Sequence, residues 1–340
     1  MAIVLEHPTA EPENGSPTPV APGIHWLRMP LPFSLDHINL WLIDDGAGTT
    51  LIDSGIAQED VRECWRALFA GRLRERPAKR LIVSHFHPDH VGLAGWLCAE
   101  LGIEAWSTED EWNMAQLARD NGRPERLEAC ADFLRGHGAD PVTIDGFAVL
   151  MRQYGKNVGP LPSTYRRIRD GDAITIDGHE WRVIVGTGHS PEHACLHCPD
   201  LNVLISGDIV LPRISTNIAV MHNQPRANPL RDYLDSLRRL RALPADCLVL
   251  PSHGLPFRGL HARIDDLIAH HDARFEECVD ACAAPITAVQ MVPIMFRREL
   301  DPFQRALATG EALAHFHYLA DDGRLRRDTR DGVTVFAQTD

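Results

Sequence analysis

The sequence predicts an α/β fold whose polar chemistry gathers at strand ends along one rim. Three observations carry that reading. Short apolar runs at 81–83, 181–185, 203–205 and 247–250 each lead into a loop bearing His or Asp, in three cases with glycine alongside. Stretches with helical apolar spacing, such as Val61, Trp65, Leu68 and Phe69, lie between runs of this kind. At 340 residues the chain can bury a full core, with length to spare beyond a bare sandwich. Strand ends that repeatedly present polar groups build a site along a rim, because the sheets fix the strand ends and the loops stay accessible.

Taken in order, residues 1–22 read as an extended arm. Its apolar lead is short, five prolines fall between Pro8 and Pro22, and no basic stretch or long apolar run marks a signal peptide or membrane helix. Residues 24–31 and 38–43 read as strands of a first sheet, with 44–48 turning into a strand that ends at Asp53. Residues 59–69 and 91–101 are helical by spacing, and 103–106 are strand-like. From about 108 to 165 no metal-type motif occurs. Residues 109–135 are helical by pattern with a break at Asn121-Gly122-Arg123-Pro124, and 154–162 are rich in Gly and Pro. Cys195 and Cys198 fall in a strand and would point to opposite faces, so their C-x-x-C spacing reads as packing. Eight scattered cysteines fit a reducing cytoplasm better than a disulfide framework. Residues 230–243 form an amphipathic helix. Beyond 259 the chain reads as three helices, 260–282, 287–296 and 303–319, then a hairpin turning at Asp331-Gly332.

The chemistry starts at His85-Phe86-His87-Pro88-Asp89-His90, three imidazoles and a carboxylate in six residues. Four titratable groups this close would be costly to bury without a cation, so the segment reads as a metal loop. His at i and i+2 reach one ion across nearly extended backbone, and Asp89 and His90 can aim at a second beside it. Partners are available in His189 of Gly186-Thr187-Gly188-His189, Asp208 of Ser206-Gly207-Asp208 and His253 of Pro251-Ser252-His253-Gly254.

Together these residues resemble the metallo-β-lactamase superfamily, whose pattern is H-x-H-x-D-H, then a His, a bridging Asp and a last His. All seven positions match. The resemblance implies an αββα sandwich of two packed mixed sheets with helices outside. It also implies two divalent metal ions, zinc by first choice with iron or manganese as alternatives. His85, His87 and His189 would hold the first metal, Asp89, His90 and His253 the second, and Asp208 would bridge them. Asp53, in Asp53-Ser54-Gly55, matches the early Asp-x-Gly motif that orients the site from behind the ligands. Its alternative is a turn residue capping the helix that starts near Gln58. Two such ions, about 3.5–4 Å apart, can share a water and lower its pKa towards 7. Asp208 would occupy one side and the hydroxide the other, with Asp89 both ligating and orienting that hydroxide. His193, Tyr154 and Tyr165 read first as packing or surface residues, with substrate contact or the leaving-group proton as the alternative for each. Arg213 is a candidate for an anionic substrate group, with a structural ion pair as its alternative.

The resemblance thus divides the chain into the arm (1–22), a catalytic domain (23–258) with an insertion at about 108–170, and a tail (259–340). The insertion is expected over the rim as a lid or dimer contact. The tail resembles the winged-helix-like tail of one branch and is expected to pack on the sandwich or close a homodimer. Asp at 208 disfavours β-lactam hydrolysis, where Cys or Ser is usual, and His87 disfavours flavodiiron chemistry, where Glu is usual. A net charge of -13 is a poor match to polyphosphate backbones. The runs Arg166, Arg167, Arg169 and Arg238, Arg239, Arg241 read as solvated helix faces. The expected protein is a cytoplasmic dinuclear hydrolase, acting through a metal-bridging hydroxide on a thioester or ester of a small acidic metabolite. A metal-dependent ribonuclease or phosphodiesterase, an iron-dependent persulfide dioxygenase, and a binding protein with a vestigial site are the alternatives.

Overall fold

The structure, a computed structural model, describes residues 5–7, 10–33 and 35–339. Residues 1–4, 8 and 9, which the sequence reading places in the arm, lie outside the described residues. Strands β1 (Thr18–Ala21), β2 (Ile24–Pro30), β3 (His37–Asp45) and β4 (Gly48–Ile52) form an antiparallel meander. Helices α1 (Glu59–Ala70) and α2 (Arg72–Glu75) cross to β5 (Ala78–Ile82), parallel to β4. Helices α3 (Pro88–Val91) and α4 (Ala94–Leu101) cross to β6 (Glu104–Ser107). Then α5 (Glu109–Ala118), α6 (Pro124–Arg135) and α7 (Pro141–Asn157) return to the short β7 (Arg166–Arg167), completing a seven-stranded sheet in chain order.

The second sheet holds β8 (Ala173–Ile176), β9 (His179–Gly186), β10 (His193–Cys198) and β11 (Val203–Gly207). After α8 (Pro229–Leu240) comes β12 (Leu248–Pro251), and the order across the sheet is β12-β11-β10-β9-β8. The tail is α9 (Leu260–Ala281), α10 (Ala288–Met295), α11 (Pro302–Asp321) and the hairpin β13 (Leu325–Arg330) and β14 (Val333–Gln338).

Alternation along the strands makes the layers. On one face Trp26, Trp41 and Ile52 enter the space between the sheets, where they meet Trp181, Leu196 and Leu250. On the other, Leu27, Leu40 and Leu42 pack outward against Val61, Trp65 and Leu97 of α1 and α4. The second sheet turns Cys195, Leu204 and Val249 outward onto Tyr233, Ile264 and Phe316. This is the helix–sheet–sheet–helix order that the resemblance implies. Phe316 and Phe336 of the tail share that outer core, so tail and sandwich pack as one body. Cys195 and Cys198 do fall in different layers, and all eight cysteines are free. Among the described residues no helix is long and apolar enough to cross a membrane.

Three elements depart from the sequence reading. The stretch read as an arm includes an edge strand, β1. Residues 141–157, unassigned or read as Gly-rich loop, form the 17-residue α7. Its N-terminus carries a start signal, with the Asp140 side chain accepting the Thr143 N–H and Pro141 in the first turn. Its glycines mask it by composition, yet one is required: a Cβ on Gly146 would lie 2.5 Å from Pro302 on α11. Arg166 and Arg167 lie on an edge strand rather than a helix face, with the Arg166 guanidinium 4.3 Å from the Trp106 ring centre and Arg167 paired with Glu109. Arg238, Arg239 and Arg241 pair with Asp235, Asp170 and Asp265.

Candidate metal centre

The first ligand loop leaves β5 and turns directly into α3. His87 stands at the N-cap with Pro88 at the first helical position, which sends Asp89 and His90 inward on the first turn. His189 follows β9, Asp208 follows β11 and His253 follows β12, so strand ends from both sheets deliver all seven residues to one rim. They form two groups, His85, His87, His189 and Asp208, and beside it Asp89, His90 and His253.

Asp208 faces both groups. Its Oδ2 lies 3.5 Å from His189 Nε2 and 3.9 Å from His85 Nε2. Its Oδ1 lies 3.6 Å from His90 Nε2 and 3.7 Å from His253 Nε2. Asp89 Oδ2 is 3.4 Å from His253 Nε2 and 3.7 Å from His90 Nε2. Among the described residues, neither His90 Nε2 nor Asp208 Oδ1 has a hydrogen-bond partner, although both atoms are buried.

The outer ring nitrogens are occupied. His90 Nδ1 donates to Asp53 Oδ2 at 2.8 Å, His189 Nδ1 to the Asn217 carbonyl at 3.0 Å, and His253 Nδ1 to the His37 carbonyl at 3.0 Å. His85 Nδ1 meets Ser84 Oγ, whose own proton goes to Asp53 Oδ2. These bonds fix the tautomers of His85 and His189, leaving a lone pair on the Nε2 of each neutral ring. The His85 and His189 Nε2 atoms then face each other at 3.2 Å, with His87 Nδ1 2.9 Å from His85 Nε2. The facing lone pairs of His85 and His189 repel at that range unless they share a cation, so the donor set fits divalent metal. Burial and neighbouring imidazoles hold His85 well below the usual histidine range, and burial with His189 takes His87 down to about 3. Both are therefore neutral, the state a ligand needs. Burial alone would lower His90, but Asp53, Asp89 and Asp208 raise it well above its usual value. Burial would raise Asp208, but His253 and His90 hold it well below the carboxylate range.

Asp53 is not a helix cap. Helix α1 has no side-chain cap at Gln58, and Asp53 instead accepts the Ser84 N–H at 2.7 Å and holds His90. Its backbone sits at a φ of 62°, a strained setting for a non-glycine residue at the strand end. Asp53→Ala is expected to weaken metal binding about 10- to 100-fold, measured by titrating metal into chelator-treated protein.

The weaker site candidates fare differently. His193 is fully buried and accepts the Asp208 N–H on Nε2 at 3.1 Å. Burial and His189 lower its pKa to about 3, so it supports the Asp208 backbone and is in no position to protonate a leaving group. Tyr154, also buried, donates to the Phe86 carbonyl at 2.5 Å and steadies the metal loop instead of reaching substrate. Tyr165 stacks on Trp112, ring centres 4.8 Å apart. Arg213 is exposed on the loop after Asp208 and forms no ion pair among the described residues.

One residue that the sequence reading missed is Glu111, on the first turn of α5 and 1% exposed. It accepts the Phe86 N–H, the Ser190 hydroxyl and the Glu192 N–H. Burial pushes its carboxyl up to about 7 against the pull of those donors. Three acidic residues in a row, Glu109, Asp110 and Glu111, look like an ordinary acidic helix start. Nothing in the spacing distinguishes the one that turns inward.

Residues 34–253 match the family model of the metallo-beta-lactamase superfamily, and 275–339 match that of the metallo-beta-lactamase-like C-terminal domain. A probable metallo-hydrolase of Bacillus subtilis, YqjP, is 27% identical, covering 92% of this chain and 97% of that protein. An atrochrysone carboxyl ACP thioesterase of Paecilomyces divaricatus, AgnL7, is also 27% identical, over 89% of this chain and 81% of its own length. The crystal structure of a beta-lactamase domain protein from Burkholderia ambifaria superposes with a TM-score of 0.90 at 46% identity, covering 98% of this chain and 97% of that one. With the seven ligand-type residues gathered on one rim and a family model spanning most of the sandwich, this chain belongs to the metallo-β-lactamase superfamily and is a metallo-hydrolase.

Proposed function

We propose that this protein hydrolyses a thioester or ester of a small acidic metabolite, using two divalent metal ions, zinc by first choice. The observation that carries the reading is Asp208, whose two carboxylate oxygens face two separate groups of ligand-type residues. In this reading His85, His87 and His189 would hold one ion and Asp89, His90 and His253 the other, with Asp208 placed to serve both. When bound, such ions activate a water and polarise the carbonyl that it attacks. The chain's own residues set the rest. Asp89, next to His253 and partly open to solvent, would help hold the second ion and orient the attacking water. Arg213, exposed beside the site loop, meets the acidic group of the substrate. The acyl-ester reading is supported by the thioesterase name of a relative aligned over most of this chain. Nucleic acid as substrate is disfavoured by the charge of -13 and by the carboxylate partners of Arg167, Arg238, Arg239 and Arg241. We place the protein in the cytoplasm, in keeping with eight free cysteines.

Elemental analysis alongside a substrate panel tests this. We expect about two zinc ions per chain, with turnover of a thioester or lactone. Cleavage of a bis-phosphodiester or short RNA alone, or oxygen consumption by an iron-loaded protein, would overturn it.

A further inference from the structure

We infer that Glu111 is the positioning residue of the His85, His87 and His189 group, holding the two separate loops that supply it. The inference rests on the metal-binding reading above and deepens it. Phe86 lies between His85 and His87, and its N–H donates to Glu111 Oε2 at 2.9 Å. Ser190 follows His189, and its hydroxyl donates to Glu111 Oε1 at 2.6 Å. The Glu192 N–H donates to the same oxygen at 2.7 Å. One carboxylate thus joins the loop after β5 to the loop after β9, segments about a hundred residues apart whose β-strands lie in different sheets.

The location gives the contacts their weight. Charge-assisted hydrogen bonds inside a protein are short and strong, and a carboxylate this deeply buried needs all of its donors. Moving either loop would leave Glu111 with an empty acceptor, so the loops move together or not at all. Support comes from both sides. The Thr108 hydroxyl donates to the Glu192 carbonyl at 2.7 Å, and the Tyr154 hydroxyl donates to the Phe86 carbonyl from α7. The inserted helices therefore brace the first group of ligands from behind. Asp53 does the corresponding work for the other group through His90, and through Ser84 it also reaches His85.

Glu111→Gln tests this with little change in volume. The amide offers one acceptor where three donors converge, and its NH2 must face either the Phe86 N–H or the Ser190 and Glu192 donors. Chelator-treated protein is titrated with Co2+ alone, following both affinity and the visible absorption of each bound ion. We expect one of two binding events to weaken by about 10- to 100-fold with an altered spectrum, the other holding within a few-fold. Asp53→Ala, which frees His90 directly and His85 only through Ser84, should weaken the opposite event more than this one. Should Glu111→Gln fail to fold, Ser190→Ala, which removes one donor of three, decides the matter through a smaller shift in the same event. Wild-type Co2+ affinities and spectra in the variant that folds would overturn the inference, even if its melting temperature fell. If the wild-type protein itself bound no Co2+, the metal-binding reading would fail with it, whereas two normal events in the variant sink the role of Glu111 alone.

Discussion

Replacing Asp208 with alanine is expected to lower hydrolysis at least about 10³-fold, equivalent to some 4 kcal/mol of lost transition-state stabilisation. The same change should release at least one of the bound metals. The reason is geometric as well as electrostatic. Each Asp208 oxygen faces a different group of imidazoles, and the residue is 7% exposed, so no water-borne anion readily takes its place. Removing it also leaves His90 and His253 with Asp89 alone as a shared carboxylate, while Asp53 still holds His90 from the far side. Asp208→Asn should fall between wild type and alanine, because the amide retains an acceptor for one group and turns a donor to the other. Metal content by elemental analysis and kcat/KM on the best substrate of the panel check both variants. Full activity with both metals retained in Asp208→Ala would rule out a bridging role.

Gly188→Ala should be nearly as damaging, by a different route. Gly188 adopts a φ of +99°, and a Cβ there would lie 2.3 Å from the Pro229 carbonyl oxygen and 2.6 Å from both the backbone nitrogen and the Cβ of Tyr233. Two of those three atoms are backbone at the start of α8, so a simple rotamer change offers no relief. Left-handed strain and overpacking together cost about 2–5 kcal/mol. His189 is the next residue, so any backbone shift that relieves the overlap moves a ligand-type residue directly. We expect a clear fall in denaturation midpoint and a weakened first metal-binding event. Gly102→Ala is the matched control, with a φ of +63° and nothing within 4 Å of its added carbon. It should cost about 1 kcal/mol from conformation alone and leave metal binding unchanged.

Much of the site was legible because ligand chemistry is local. An imidazole-rich loop after an apolar run, and single His or Asp residues past later strand ends, survive in the sequence as short patterns. Helices with regular spacing, such as α1 and α8, were equally readable. Helix α7 was not, since Gly146 and Gly155 lower its helix propensity and it is held by packing against α11, a contact far away in sequence. Which backbone groups His193 and Tyr154 serve was not legible for a related reason. Whether a titratable side chain faces substrate or backbone depends on the strand and helix that cover it, and both turned out to serve the backbone of the ligand loops.

By itself the sequence located most of the strands and helices and the seven ligand-type residues, whose resemblance to a known family implied the sandwich, because strand alternation, helix spacing and metal preference act over a few residues at a time. Only the tertiary structure decided that Asp208 turns one oxygen to each group, that Asp53 locks His90 instead of capping a helix, and that Glu111 ties two distant loops. Those are the properties of atoms brought within about 3 Å across large sequence separations, and the energy of a buried carboxylate depends on which donors the fold delivers to it.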